Sequence, residues 1–391
     1  MNSSTQDNSN AAANPPNIKA AANAVDAYKP AIKLERRADE PSSDIKSFRA
    51  NEPQLYEEKT TVPSPPSRLI FIGDIHGCVE YFNKLLETVE FKQGSDQVVL
   101  VGDLVAKGPD SLGVVNKARS IGAWGTRGNH DDRVVRWGDF LQGPGKGLSE
   151  SDLESLQSSG DLPYDDFEIG GDHYDIASTM PACDFSYLAR FPTMIVLPPP
   201  YNEWVVAHGG IVPTTPIAQQ NPDDVMTMRN IGPDGPSSKK DAGEAWFDVW
   251  AEKIGPLGGN STSVESSSSD TTSKDDEQTN RKRQISSPSL DTIQFKKVIY
   301  GHDAGRDLQI HEFTKGLDSR CVYGGKLTAF ILPGEQLVSV DCGKDYTSGD
   351  SDQRRRRDMM LRRAQTLRSN ARRRRKERRE SSRRSAGQKH K

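Results

Sequence analysis

The chain has 391 residues, 34% of them hydrophobic and 27% charged, with 33 Gly, 24 Pro and a mean hydropathy of -0.72. A fully globular chain sits nearer ~45% apolar, so part of this one is predicted to stay outside any core. No apolar run approaches the ~18 residues that would cross a bilayer. The formal net charge of -3 averages two unlike parts: residues 351–391 hold 18 basic and 4 acidic groups, and the rest of the chain holds 34 and 51.

The first residues carry neither a basic segment nor an apolar one, so no secretory signal is expected, and Asp7, Asp26 and Glu35 disfavour a transit peptide. Cys78, Cys183, Cys321 and Cys342 are too few and too scattered for a disulfide framework or a CxxC zinc site. A reducing, cytoplasmic setting is the expectation, with nuclear entry through the basic tail as an added reading.

Residues 1–66 are rich in Asn, Ala, Ser and Pro and end in Val62-Pro63-Ser64-Pro65-Pro66; they are expected to be disordered. From Arg68 short β-branched runs alternate with amphipathic segments, the texture of an α/β fold. Residues 69–72, 98–101 and, more weakly, 123–126 read as strands. Residues 79–89, 111–121 and 132–141 have helical spacing. The segment 192–205 reads as two strands around Pro198-Pro199-Pro200, and Ala245-Trp246-Phe247-Asp248-Val249-Trp250 as a helix on the core. Strands at 298–300, 308–313, 327–332 and 337–340 complete a second set. The Ser/Thr-rich stretch 258–292 reads as an inserted loop, so the packed part is expected to span 67–343. The Arg-rich tail 344–391 is expected to be disordered or helical. RNA or another polyanion, a localisation receptor, an anionic membrane, the acidic body itself and no partner at all remain open for residues 351–391.

Five strand-like runs end in the same kind of residue. RLIFI runs into Gly73-Asp74-Ile75-His76-Gly77, and QVVLV into Gly102-Asp103. AWGT meets Arg127-Gly128-Asn129-His130-Asp131, EWVV meets Ala207-His208-Gly209-Gly210, and KVIY meets Gly301-His302-Asp303. Ligands in open α/β sheets gather outside the carboxyl ends of strands. Two Asp, one Asn and four of the seven histidines would thus share one edge. That donor set suits two divalent ions such as zinc, manganese or iron, and one carboxylate can bridge ions ~3.5–4 Å apart.

Taken in order, GDIHG, GDLVAKGPDS, RGNHDD, AHGGI and GHDA resemble the signature of calcineurin-like metallophosphoesterases, within the phosphoprotein-phosphatase superfamily. The resemblance covers most of 68–332. It implies a two-sheet β-sandwich flanked by helices, and a phosphoesterase in which a metal-activated hydroxide attacks phosphorus in line. It also implies that Asp74 and His76 hold the first metal and that Asp103 bridges. Asn129, His208 and His302 would complete the second site, and His130 would protonate the leaving oxygen. Asp131, beside it, is a candidate catalytic partner or a helix cap.

The departures carry information. The superfamily's protein phosphatases have Asp-Arg where this chain has Ala106-Lys107, so the carboxylate that supports the acid histidine is absent and a bidentate Arg becomes a point charge. The stretch resembles that of the symmetrical diadenosine-tetraphosphate hydrolases, a branch that includes polyphosphate-cleaving and mRNA-decapping relatives. Polyphosphate or nucleoside polyphosphate is therefore the favoured substrate. Ser/Thr phosphoprotein, capped RNA, and a non-catalytic nucleic-acid-binding scaffold are the competing readings. Lys107 and Arg229 are the expected phosphate-binding groups, and Arg127 is expected to brace the 128–131 loop. Asp318-Ser319-Arg320 departs from the usual Asp-Thr/Ser-Gly. Cys78 and Cys321 are expected to be small buried residues, and His173 and His311 carry no functional expectation.

Overall fold

The computed structural model describes residues 43–59, 68–213, 215–258 and 295–348. In chain order these form α1 (Ser43–Ser47), β1 (Tyr56–Glu58), β2 (Arg68–Ile72), α2 (Val79–Thr88), β3 (Asp96–Leu100) and α3 (Ser111–Ser120). Next come β4 (Trp124–Gly125), α4 (Asn129–Gln142), α5 (Glu150–Ser159), α6 (Asp172–Thr179), α7 (Ala182–Ala189), β5 (Met194–Val196) and β6 (Trp204–Ala207). The remainder is α8 (Pro222–Thr227), β7 (Asn230–Gly232), β8 (Gly235–Ser237), β9 (Glu244–Ala245), α9 (Trp246–Gly258), β10 (Lys297–Tyr300), β11 (Gln309–Ile310), β12 (Thr314–Gly316), β13 (Lys326–Leu332) and β14 (Gln336–Asp341). None of the described helices is long and apolar enough to cross a membrane.

Two sheets carry the architecture. One runs β14-β13-β2-β3-β4 and the other β1-β5-β6-β10-β12-β11, with a small third sheet β8-β7-β9. Strand side chains alternate faces, and that alternation sorts the core. Leu69 and Phe71 of β2 and Val99 of β3 meet Ile195, Trp204, Val206 and Ile299 of the other sheet. Their neighbours Ile70, Ile72, Val98 and Leu100 turn the other way, onto Phe82 and Leu85 of α2 and Val114 and Val115 of α3. Val205, Val298 and Tyr300 pack outward on Trp246, Trp250 and Ile254 of α9. Central strands buried on both faces lose polar alternation, which is why RLIFI and QVVLV are nearly unbroken apolar runs. The result is a two-sheet sandwich with helices outside both sheets.

Most predicted elements form close to their expected bounds, and the departures have physical causes. Helix α4 begins at Asn129, three residues before the apolar spacing starts, because Asp131 accepts from the Gly128 N–H at 3.1 Å and caps it. The expected strand 308–313 is instead the two-residue β11 with a turn into β12, and Leu308 and Ile310 are exposed at the sheet edge. The expected disorder of 1–66 does not extend over 43–59. β1 pairs in parallel with β5, and Ile45 is buried among Trp137, Phe140 and Leu153. Ile45, Phe48, Leu55 and Tyr56 are spaced too sparsely in a polar stretch to leave a periodic signal. The C-terminal boundary also shifts, since the N–H of Tyr346 donates to the carbonyl of Val322 at 2.9 Å. The inserted loop, apart from residue 258, and the tail 351–391 lie outside the described residues.

The cysteine expectation needs correction as well. Cys321 and Cys342 form a disulfide across a Cα separation of 5.3 Å. The β13–β14 hairpin, in which Lys326 faces Asp341, brings together two cysteines 21 positions apart in the chain. Scatter along the sequence is therefore no guide to separation in space. Cys78 is buried, and burial pushes its thiol up to about 12, so it behaves as the small core residue expected.

If 43–59 is part of the core, Ile45→Ala should lower unfolding stability by about 2 kcal/mol in urea denaturation. An unchanged midpoint would show that the segment contributes nothing.

Candidate metal centre

β2, β3 and β4 run parallel to one another, and β6 and β10 are parallel in the facing sheet. Their carboxyl ends converge on one edge of the sandwich. There the backbone amide of Gly301 donates to the carbonyl of His208 at 2.9 Å, and that of His76 to the carbonyl of Asp103 at 2.9 Å. Between the sheets, the His302 amide donates to Asp74 at 3.1 Å and His208 Nδ1 pairs with the carbonyl of Val101 at 2.9 Å, so the loops that bear the chemistry join the two.

Asp103 lies at the centre. Its Oδ2 is 3.3 Å from His208 Nε2 and 3.5 Å from His76 Nε2, and its Oδ1 accepts from the His130 backbone N–H at 2.9 Å. Side-chain donor atoms of His76, Asp103 and His130 lie within 4.8 Å of one another, as do those of Asp103, His208 and His302. Asp103 belongs to both triads, the position a bridging carboxylate would occupy. Asn129 joins the second, its Oδ1 3.3 Å from His208 Nε2. Asp74 belongs to neither triad, yet it is buried beside them and both its oxygens accept from the His302 amide at 3.1 Å.

The histidine rings are set as ligands. His76 holds its Nδ1 on the carbonyl of Val105 at 3.0 Å, and His208 its Nδ1 on that of Val101 at 2.9 Å. His302 turns Nε2 to the carbonyl of Thr227 at 2.9 Å. A carbonyl only accepts, so each ring places a hydrogen there. On His76 and His302 the other nitrogen keeps its lone pair, whereas His208, despite the opposing effect of burial, is held up to about 9 by Asp103, with a proton on Nε2 that a bound cation would displace. For His76 that lone pair already faces a cation, the Lys107 ammonium 3.0 Å away. Burial, with Lys107 next in weight, lowers His76 to about 4, which keeps the ring neutral as a ligand requires. Burial opposes ionisation of Asp103, but His208 and His130 hold its carboxyl well below the usual range. Burial and then Asp318 push Asp74 well above it. Three buried carboxyl groups, Asp74, Asp103 and Asp318, beside the imidazoles of His76, His208 and His302 form a donor set that fits divalent cations.

The backbone here is strained in the same places. His76, Asp103 and His302 have φ of 45°, 52° and 69°, and Ala106 and Lys107 have 68° and 67°. Non-glycine residues adopt this left-handed region at a cost, and such outliers cluster at functional sites. Close approach fixes two glycines: a Cβ at Gly301 would lie 2.0 Å from Asp74 Oδ1, and one at Gly128 2.3 Å from Asp103 Oδ1.

Other expected residues fall into different places. Lys107 points into the site, its Nζ 3.0 Å from His76 Nε2. Arg229 lies beside the site: its guanidinium donates to the carbonyls of Ser238 at 3.1 Å and His302 at 3.3 Å, and its Nε lies 3.6 Å from Asp303. A side chain so engaged braces the His302 loop. Asp131, expected among the catalytic groups, caps α4 and accepts from the Leu104 N–H at 3.0 Å, so it fixes the Asp103 loop. Arg127 is buried and bonds the carbonyl of Ala189 and Asp132, the bracing role expected. The unusual Arg320 turns outward over the Tyr323 ring at 5.8 Å, while Asp318 stays buried beside the site. Sequence reasoning missed one neighbour altogether. His173 Nε2 is 2.8 Å from His130 Nδ1.

Gly301→Ala should displace Asp74 and lower metal bound after manganese loading, read by elemental analysis, with activity falling at least about a hundredfold. Full metal content in that variant would remove Asp74 from the centre.

A sequence model of the calcineurin-like phosphoesterases matches residues 67–306. The symmetrical bis(5'-nucleosyl)-tetraphosphatase of Vibrio parahaemolyticus is 25% identical over 287 residues, covering 69% of this chain and 97% of the relative. That of Erwinia tasmaniensis is 39% identical over 93 residues, only 33% of the relative's length. A crystal structure described as a candidate diadenosine tetraphosphatase is 31% identical, with a TM-score of 0.51, covering 75% of this chain and 98% of that one. The motifs, the sandwich and the paired triads at its strand ends belong together, and the chain is a member of the calcineurin-like phosphoesterase family, whose members use divalent metals.

Proposed function

We propose that the chain hydrolyses phosphoanhydride bonds of a polyphosphate or nucleoside polyphosphate at a two-metal centre. Asp74, His76 and Asp103 would hold one ion, and Asp103, Asn129, His208 and His302 the other. The observation that carries this reading is the set of three histidines, each with one nitrogen committed to a backbone carbonyl and the other left as a donor. Divalent ions bound there would lower the pKa of a water and neutralise the non-bridging phosphate oxygens.

The chain's own groups do the rest. The Lys107 ammonium, at the mouth of the site, steadies the phosphate in place of Arg229, which is held by protein atoms. His130 delivers the proton to the leaving oxygen. Asp131, Arg127 and the capped start of α4 hold Asn129 and His130 in register. Beside Lys107 lies a cleft of about 610 Å³, bordered by Pro109, Asp172, Ile176 and Tyr346, with room for the remainder of an extended substrate. The support for a nucleotide substrate is the tetraphosphatase activity that the relatives' names carry, together with the Ala106-Lys107 pair.

The test is a substrate panel with the purified, manganese-loaded full-length chain. Diadenosine tetraphosphate and inorganic polyphosphate should be cleaved with kcat/KM at least about tenfold above that for a phosphoserine peptide. The reverse order would overturn the substrate class. Asn129→Ala should lower turnover of every substrate by a hundredfold or more, on the order expected for losing a metal ligand. Undiminished turnover would move the chemistry elsewhere.

A further inference from the structure

The acid histidine of this site lacks the carboxylate that a residue at position 106 would supply, because that residue is Ala106, whose methyl group cannot accept a hydrogen bond. His130 nonetheless has a partner on Nδ1. His173, in the first turn of α6, places its Nε2 2.8 Å away, with the two rings stacked at 15° and their centroids 5.0 Å apart. The neighbouring residue makes a second tie: Asp172 Oδ2 accepts from the backbone N–H of Lys107 at 3.1 Å. Two consecutive side chains of α6 therefore hold the proton donor and the Ala106-Lys107 turn, both of which border the metal triads.

We propose that His173 is a positioning residue for His130, taking from α6 the place that a carboxylate at position 106 would fill, with Asp172 fixing the helix to the adjoining turn. This rests on His130 being the proton donor of the proposed reaction. The hydrogen bond settles which nitrogen serves. With Nδ1 occupied, Nε2 is the ring atom left for the site. A neutral His130 accepting at Nδ1 from His173 carries its hydrogen on Nε2. A doubly protonated His130 donating from Nδ1 to His173 carries one there too. In both forms the hydrogen available to the leaving oxygen is on Nε2, and the neutral tautomer that donates from Nδ1 to His173 is the form left once that proton has been given up. The stack also limits rotation of the His130 ring, whose edge meets the His76 ring at a centroid distance of 5.0 Å.

A proton donor matters most when the leaving group is basic. The experiment uses the manganese-loaded full-length chain with phenyl phosphate, a poor leaving group, and 2,4-dinitrophenyl phosphate, which leaves without a proton. His173→Leu should lower kcat on phenyl phosphate by at least about tenfold and on the dinitrophenyl ester by less than about threefold, with KM little changed. His173→Gln, whose amide can still bond Nδ1, should recover part of the loss and shows whether removal of the ring has merely damaged the fold. Metal content by elemental analysis should match the wild type in both variants. His130→Asn should show the same dependence on leaving group, and adding His173→Leu to it should cost nothing further.

Equal losses on the two esters, a fall in metal content, or additive losses in the double variant would overturn the role of His173. A His130→Asn variant with no leaving-group dependence would instead sink the assignment of the proton donor, and the positioning role with it. A metal-loaded wild-type chain that cleaves neither ester nor any phosphoanhydride would sink both.

Discussion

The site turns on a buried carboxylate. Asp103 sits with almost no solvent contact between two groups of imidazoles, and an isolated charge in such surroundings is costly unless it is paired and hydrogen-bonded. Here His208 and His76 flank one oxygen and the His130 amide donates to the other. Every strand end that reaches the edge contributes to that arrangement. The strained turns at His76, Asp103 and His302 follow from the same demand, because a relaxed backbone would carry these side chains away from a common point.

The sandwich exists to hold those ends still. Phe71, Val99, Trp204 and Ile299 interlock between the sheets, so the loops after β2, β3, β6 and β10 spring from a packed, rigid base. Close-packed interiors resist displacement. A metal centre assembled from both sheets needs that, since a shift of one sheet against the other would separate His208 and His302 from Asp103. The same logic explains three supporting side chains: Arg127, Asp131 and Arg229 each fix a loop whose neighbour carries a donor.

The local features of this protein were legible because their causes are local. A β-branched run followed by Gly-Asp or Gly-His announces a strand and the residue at its end, and all the expected metal-site residues lie at or beside the centre. Arg127 was expected to brace and does. Three things were not legible. The capping carboxylate of Asp131 starts α4 earlier than apolar spacing indicated. The segment 43–59 joins the core through Ile45 and a three-residue strand, too little pattern to detect. Arg229 has the right neighbours in sequence for a phosphate ligand, but it is bonded to protein atoms in space.

Sequence alone determined the α/β class, the order of the strand-end motifs and which residues stand at the strand ends, since each is set by a few adjacent positions. Only the tertiary structure decided which ring nitrogens hold hydrogens, which cations remain free, and that Cys321 meets Cys342. It also decided that His173, 43 positions from His130, stacks against it. Such pairings depend on how α6 packs against α4 and how β13 folds onto β14. Those are properties of distant surfaces meeting, and no window of neighbouring residues encodes them.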